Sequence, residues 1–188
     1  MKNNFFYYLL FCFVICLGCS KDNNNETPAL PSQYPMKTLI ENGVLDLNSI
    51  INSPNTFELG YQFKTFKNGK IKSVSIRVPS NDTYRVSLWN FDTEELLLTQ
   101  EVQSSNGLIS TKEINPITIN SSVNYFISVN TNDYYAFNKG GAVIFPTDIG
   151  DVLVKAYGSY LGTNQAIPTT FSTTFYLGMV DFEFVPNN

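Results

Sequence analysis

Six side chains stand out for binding chemistry. Asp133-Tyr134-Tyr135-Ala136-Phe137-Asn138 sets three aromatic rings among polar neighbours, and Trp89 follows Arg85 and Ser87 on one period-two face. Flat rings with such neighbours suit the apolar face of a sugar ring, while Asp, Asn and Arg can hydrogen-bond its hydroxyls. The candidate ligand-binding residues are therefore Arg85, Trp89, Asp133, Tyr134, Tyr135 and Phe137. Tyr157 and Tyr160 add rings beside Gly158 and Gly162. The same rings could instead cap a core beneath a long loop, and the residue pattern leaves both readings open.

Catalytic constellations are weaker. The chain has no His, which removes the side chain that ordinarily titrates near neutrality and with it Ser/His/Asp chemistry. No Ser lies in a Gly-x-Ser-x-Gly setting, and no phosphate loop or dinucleotide fingerprint occurs. Glycoside hydrolysis needs two carboxylates about 5 to 10 Å apart. Asp181 and Glu183 lie two apart on one strand face, which would separate them by roughly 7 Å, although an outward polar face explains the same spacing. Asn130-Thr131-Asn132-Asp133 and Asp148-Ile149-Gly150-Asp151 carry oxygen ligands of the kind a structural Ca²⁺ takes. Asn and Asp also populate turns for backbone reasons alone, so no metal ligand is assigned. Twelve Lys+Arg against 16 Asp+Glu give a net charge of -4, which offers no footprint for nucleic acid.

These residues must be carried by a short chain. At 188 residues it accommodates one ordinary domain. Turn signals recur from about Lys37 onward: Asn68-Gly69, Ser80-Asn81-Asp82, Asn90-Phe91-Asp92, Ser104 to Gly107, Asn115-Pro116, Asn120-Ser121-Ser122 and Asn130 to Asp133. Short alternating segments lie between them. Tyr84, Val86 and Leu88 oppose Arg85, Ser87 and Trp89; Tyr125, Ile127 and Val129 oppose Phe126, Ser128 and Asn130. Tyr176, Val180, Phe182 and Phe184 oppose Asp181 and Glu183. Lys67-Asn68-Gly69-Lys70 predicts a tight hairpin. Leu39 to Ile51 fits a short helix or an edge strand. The pattern predicts an all-β fold, an antiparallel β-sandwich of jelly-roll or Ig-like kind in a single domain.

The N-terminus reads differently. Met1 to Asn4 is a short basic region and Phe5 to Leu17 an apolar run, too short for a bilayer span of roughly 20 residues. An export signal over residues 1–18 fits better. Cys16-Leu17-Gly18-Cys19-Ser20 resembles a bacterial lipobox, with Cys16 where an aliphatic residue is usual. On that resemblance Cys19 is acylated and anchors the mature chain to outer-membrane lipid. Cys12 and Cys16 fall within the signal, so the mature chain keeps one thiol and has no internal disulfide. Residues 19–36 read as a polar, Pro-containing tether and 37–188 as the sandwich. Lys21-Asp22-Asn23-Asn24 resembles the surface-export signals of Bacteroidetes lipoproteins, which implies display at the cell surface, with a periplasm-facing anchor as the alternative.

An ordered series of motifs extends the resemblance to the domain. Glu58-Leu59-Gly60-Tyr61-Gln62-Phe63, Asn68-Gly69-Lys70-Ile71, Leu88-Trp89, Pro116-Ile117-Thr118-Ile119, Asn124-Tyr125, Asp133-Tyr134-Tyr135, Pro168 and Val180-Asp181-Phe182-Glu183-Phe184 follow one another. Together they resemble a bacterial family of extracellular β-sandwich modules catalogued as a domain of unknown function. The resemblance spans roughly residues 57–184. It departs at Glu94-Glu95, where a Gly is common, and over Ala142 to Tyr160. It implies fold and location and brings no catalytic residues.

The combined expectation is a surface lipoprotein with a non-catalytic module for carbohydrate binding or adhesion. The alternative is a structural or accessory subunit docking another envelope protein. A hydrolase would require two convergent buried carboxylates in a cleft.

Overall fold

The computed structural model describes residues 30–188. One short helix, α1 (Pro35–Glu41), precedes eleven strands: β1 (Asp46–Thr65), β2 (Gly69–Ile76), β3 (Thr83–Asn90), β4 (Glu95–Gln103), β5 (Ser110–Ile119), β6 (Tyr125–Asn138), β7 (Thr147–Ile149), β8 (Val152–Leu161), β9 (Thr170–Ser172), β10 (Phe175–Gly178) and β11 (Val180–Pro186). The larger sheet runs β4-β3-β6-β1-β8-β7, with β10 on the far half of β6 and β9 on β8; the smaller runs β11-β2-β5. Every pairing is antiparallel. The fold is an all-β sandwich.

Alternation places the core between the sheets. Val86, Leu88, Ile127 and Val129 from the large sheet meet Ile71, Val74, Phe182 and Phe184 from the small one, all fully buried. Phe63 and Phe182 bridge the two layers with ring centroids 4.5 Å apart, and Tyr61 stacks on Phe182 at 6.1 Å. Burying such rings is the main stabilising term, since each removes a large apolar area from water.

Two of the expected turns lie inside strands, and a third joins strands of different sheets. Asn68-Gly69 does not close a hairpin, because β1 belongs to the large sheet and β2 to the small one. Gly69 is needed for space: a Cβ there would stand 2.5 Å from the Phe184 ring and the Val185 carbonyl. Asn115-Pro116 lies inside β5, where the register against β2 slips between Ile71 and Ser73. Such a bulge on an edge strand tolerates proline. Asn130 to Asp133 continues β6; the irregularity is carried instead by β1, which bulges between Asn52 and Phe57. The ambiguous Leu39 to Ile51 stretch holds the end of α1 and the start of β1.

The fold also begins before Lys37. Gln33 pairs with Phe184 as an antiparallel bridge, and Pro35 and Met36 are buried, so residues expected in the tether belong to the domain. Pro35 starts α1 with the φ that a first helical residue needs. The helix has no cap from its own side chains. Asp181 supplies one from β11, accepting the N–H groups of Met36 at 3.1 Å and Lys37 at 2.8 Å. The same carboxylate accepts Tyr61 Oη at 3.0 Å and its neighbour's Phe182 N–H at 2.9 Å. Asp181 is thus buried where an outward polar face was expected, because α1 lies over it.

Burial outweighs these four hydrogen bonds and pushes the Asp181 carboxyl up to about 6. A folded-state value above the unfolded one favours the protonated form. Its stabilising contribution is complete below the ordinary carboxylate range and is lost as pH rises through about 6. Urea unfolding of wild type and Asp181→Asn across pH 3.5 to 7.5 should show the wild type losing about 2–3 kcal/mol relative to the variant over that rise. A constant difference would contradict this assignment.

Candidate functional site

The outer face of the large sheet is not simply solvated. Cross-strand register aligns Arg85, Asn130 and Glu58 in one row, Ser87, Ser128 and Gly60 in the next, and Trp89, Phe126 and Gln62 in a third. Residues 162–169, linking β8 to β9, cross these rows. Arg85 Nη2 donates to the Thr163 carbonyl at 3.0 Å, and Asn130 Nδ2 donates to the Gly162 carbonyl at 3.1 Å. Gln165 Nε2 donates to Ser87 Oγ at 2.9 Å and to Thr99 Oγ1 at 2.7 Å. The crossing segment is pinned by side chains from β3, β4 and β6.

Beneath it lies a charged pair. Glu58 is fully buried and accepts Arg85 Nη2 on one oxygen and Ser128 Oγ, at 2.8 Å, on the other. Burial still raises the Glu58 carboxyl above its ordinary value despite Arg85 and Ser128. Arg85 is therefore committed to Glu58 and to holding the crossing segment.

Beside this network, Trp89, Phe91, Glu94, Ala166, Ile167, Pro168, Thr169 and Phe171 line a groove of about 580 Å³. Gly158 leaves room for the neighbouring Phe126 and Phe171 rings, since a Cβ there would come within 2.7 Å of the first and 3.0 Å of the second. Phe171 stands edge-on to Phe91 at 5.9 Å and to Phe126 at 6.4 Å, and is 44% exposed. Trp89 is only 8% exposed, and its indole Nε1 is buried with no acceptor among the described residues. A buried donor without a partner costs about 1–3 kcal/mol. Glu94, at φ 60, puts a carboxylate on the same rim.

The rest of the expected site is elsewhere. Tyr134, Tyr135 and Phe137 are buried within β6, which is a strand where a loop or strand end was expected. Phe137 stacks on Tyr176 at 6.1 Å, Tyr134 stands edge-on to Phe57 at 6.2 Å, and Arg77 covers the Tyr135 ring at 4.8 Å. Asp133 is 5% exposed and accepts Ser80 Oγ. These four residues wall the core, and they do not share a surface with Trp89. Among the described residues no group of three or more His, Cys, Asp or Glu comes together as a metal site. Cys19 lies outside the described residues.

Phe91 and Phe171 were missed. Phe91 falls within a turn signal, and Phe171 in a Thr-rich run without a clear period. Of the groove's lining, the sequence pattern singles out Trp89 for binding.

A second concavity, about 330 Å³, lies on the outer face of the small sheet, with Tyr34, Lys37, Ile109, Glu113, Met179 and Glu183 among its walls. Asp181 and Glu183 both border it. The Asp181 oxygens are taken up by α1, Tyr61 and Phe182, so the two do not form a free carboxylate pair.

No family model matches the chain, and no curated protein matches it in sequence.

Replacing Arg85 by Ala would strand the Glu58 charge in the interior. Loss of one partner of a buried pair typically costs about 3–5 kcal/mol. Chemical denaturation should show a loss of that size for Arg85→Ala, and adding Glu58→Gln should restore at least about 1 kcal/mol. A double variant no more stable than Arg85→Ala would argue against the pair as the cause.

Proposed function

We propose that the protein is an outer-membrane lipoprotein, anchored through Cys19 and displayed at the cell surface, whose sandwich is a non-catalytic carbohydrate-binding module. The observation that carries the binding reading is the groove bounded by Trp89, Phe91 and Phe171. It joins the exposed ring of Phe171 to a rim carboxylate, Glu94. Sugar recognition uses that combination, with C–H faces against rings and hydroxyls against fixed polar groups. The resemblance to extracellular sandwich modules favours the same reading. No helix among the described residues is long and apolar enough to cross a membrane, and anchoring rests on the lipobox resemblance at Cys19.

A second reading has its own observation. Residues 46–52 of β1 pair with β6 on one side, while no strand among the described residues covers the other side. Leu47 and Ile50 there are 53% and 60% exposed. An open edge with apolar side chains can add a strand from a partner, which supports docking to another envelope protein.

Glycan-array binding by the full chain in detergent should be saturable. It should fall at least tenfold in Phe171→Ala, whose ring is half exposed, with the thermal midpoint kept within a few degrees. Binding unchanged in a folded Phe171→Ala protein would move the weight to the strand edge. Metabolic labelling with a fatty acid in a bacterial host should mark the wild type and be absent in Cys19→Ser; label retained in that variant would remove the anchor.

A further inference from the structure

The concavity on the small sheet is built by register. Glu183, Ser73 and Glu113 form one cross-strand row over β11, β2 and β5, and Asp181, Ser75 and Thr111 form the adjacent row. All six border the cavity. Glu183 is fixed by Ser32 Oγ at 2.6 Å and Ser73 Oγ at 3.1 Å. Glu113 is free to lean in from the edge strand. Tyr34 forms the side wall, and Ile76, Ile109 and Met179 give an apolar end, with Ile109 47% exposed.

We propose that this cleft binds a primary ammonium group carried on an apolar stem, the chemistry of an alkylamine or of a lysine side chain.

Geometry selects that class. Glu113 and Glu183 stand on strands two apart, so their backbones are separated by roughly 10 Å. Glutamate side chains reach across that spacing to one charge between them. No three acids converge there among the described residues as a bare cation's ligands would, and the apolar end suits an organic ammonium. The ammonium's three donors find Glu183, Glu113 and the Ser73 or Thr111 hydroxyl. The stem lies along Ile109, Ile76 and Met179. The chain's own Lys37 shows that the Tyr34 ring accepts an ammonium, with Nζ 5.5 Å from the ring centroid. Lys37 lines the cleft and also pairs with Glu41 at 3.8 Å, so the three acids of the lining outnumber the one ammonium beside them. Both carboxylates act at one point, since after burial Glu183 and, more weakly, Glu113 raise the Tyr34 hydroxyl's pKa. The acids facing the ammonium are Glu113, Glu183 and the buried Asp181; Lys37 is the cation opposing them. The cleft is on the opposite sheet from the aromatic groove, so glycan binding and amine binding stand or fall separately.

The test is an NMR titration of the full chain in detergent at neutral pH with n-butylammonium, n-butanol and Nα-acetyl-lysine amide as probes. Saturable shifts on the amides of Ser73, Ser75, Thr111 and Glu183 are expected with n-butylammonium and absent with n-butanol. Glu113→Gln, an exposed change, should raise the Kd at least fivefold with the thermal midpoint unchanged. Tighter binding of the lysine amide would point to a polypeptide side chain, and tighter binding of n-butylammonium to a free amine. Equal binding of n-butanol, shifts scattered over surface acids, or an unchanged Kd in Glu113→Gln would each overturn the proposal.

Discussion

The Asp181 carboxylate joins three parts of the chain, α1, β1 and its own strand β11, at one buried point. It caps the first turn of α1 through Met36 and Lys37, accepts the Tyr61 hydroxyl from the large sheet, and closes on its own strand at Phe182. A seven-residue helix is too short to be stable alone, and its first N–H groups need acceptors. A buried carboxylate in turn needs donors. Each deficit is met by the other. Met36 and Leu39 are fully buried beside this cap, so the N-terminal segment is fastened by hydrogen bonds and apolar packing together. Tyr34 stands over the small sheet because α1 is held there.

A related device governs the other face of the molecule. A sheet in a sandwich usually has one wet face, and β3, β6 and β1 place polar groups on it: Arg85, Ser87, Ser128 and Glu58. Residues 162–169 then cover that face, which converts surface residues into interior ones. The cover is tolerable only because its carbonyls and the polar row satisfy each other. Thr163 and Gly162 accept from Arg85 and Asn130, Ser87 accepts from Gln165, and Glu58 takes Arg85 and Ser128. Where the polar row ends, at Trp89, the cover loses these ties and stands beside Phe91 and Phe171 as a groove. The groove is the place where a buried polar layer gives way to an aromatic one.

The strands and their faces were legible because period two is a local property. Tyr84, Val86 and Leu88 turn inward, and Arg85, Ser87 and Trp89 outward, as their alternation requires. What alternation cannot report is whether a second layer covers the outward face. Trp89 was rightly placed opposite the core set, yet it is 8% exposed, since its cover is some 80 residues away in the chain. The Asn130 to Asp133 and Asn115-Pro116 signals failed for a different reason. Asn, Asp and Pro mark departures from regular pairing, and a bulge is such a departure without reversal of the chain. Asn68-Gly69 likewise encoded close approach to Phe184, where the same dipeptide elsewhere encodes a hairpin.

Tyr134, Tyr135 and Phe137 make the limit concrete. Successive residues in a strand point to opposite faces, so a tyrosine pair at 134 and 135 should leave one ring in water. Both are buried because the two faces of the far half of β6 meet different segments: Phe57 of β1 stands edge-on to Tyr134, and Arg77, tied to the Gly107 carbonyl, covers Tyr135. Rings beside polar residues therefore identify either a binding platform or the closed end of a sandwich. The two differ only in whether a distant segment arrives to cover them. At Tyr135 one does; at Phe171 it does not, and the aromatic surface left to a ligand is the one that the fold itself leaves uncovered.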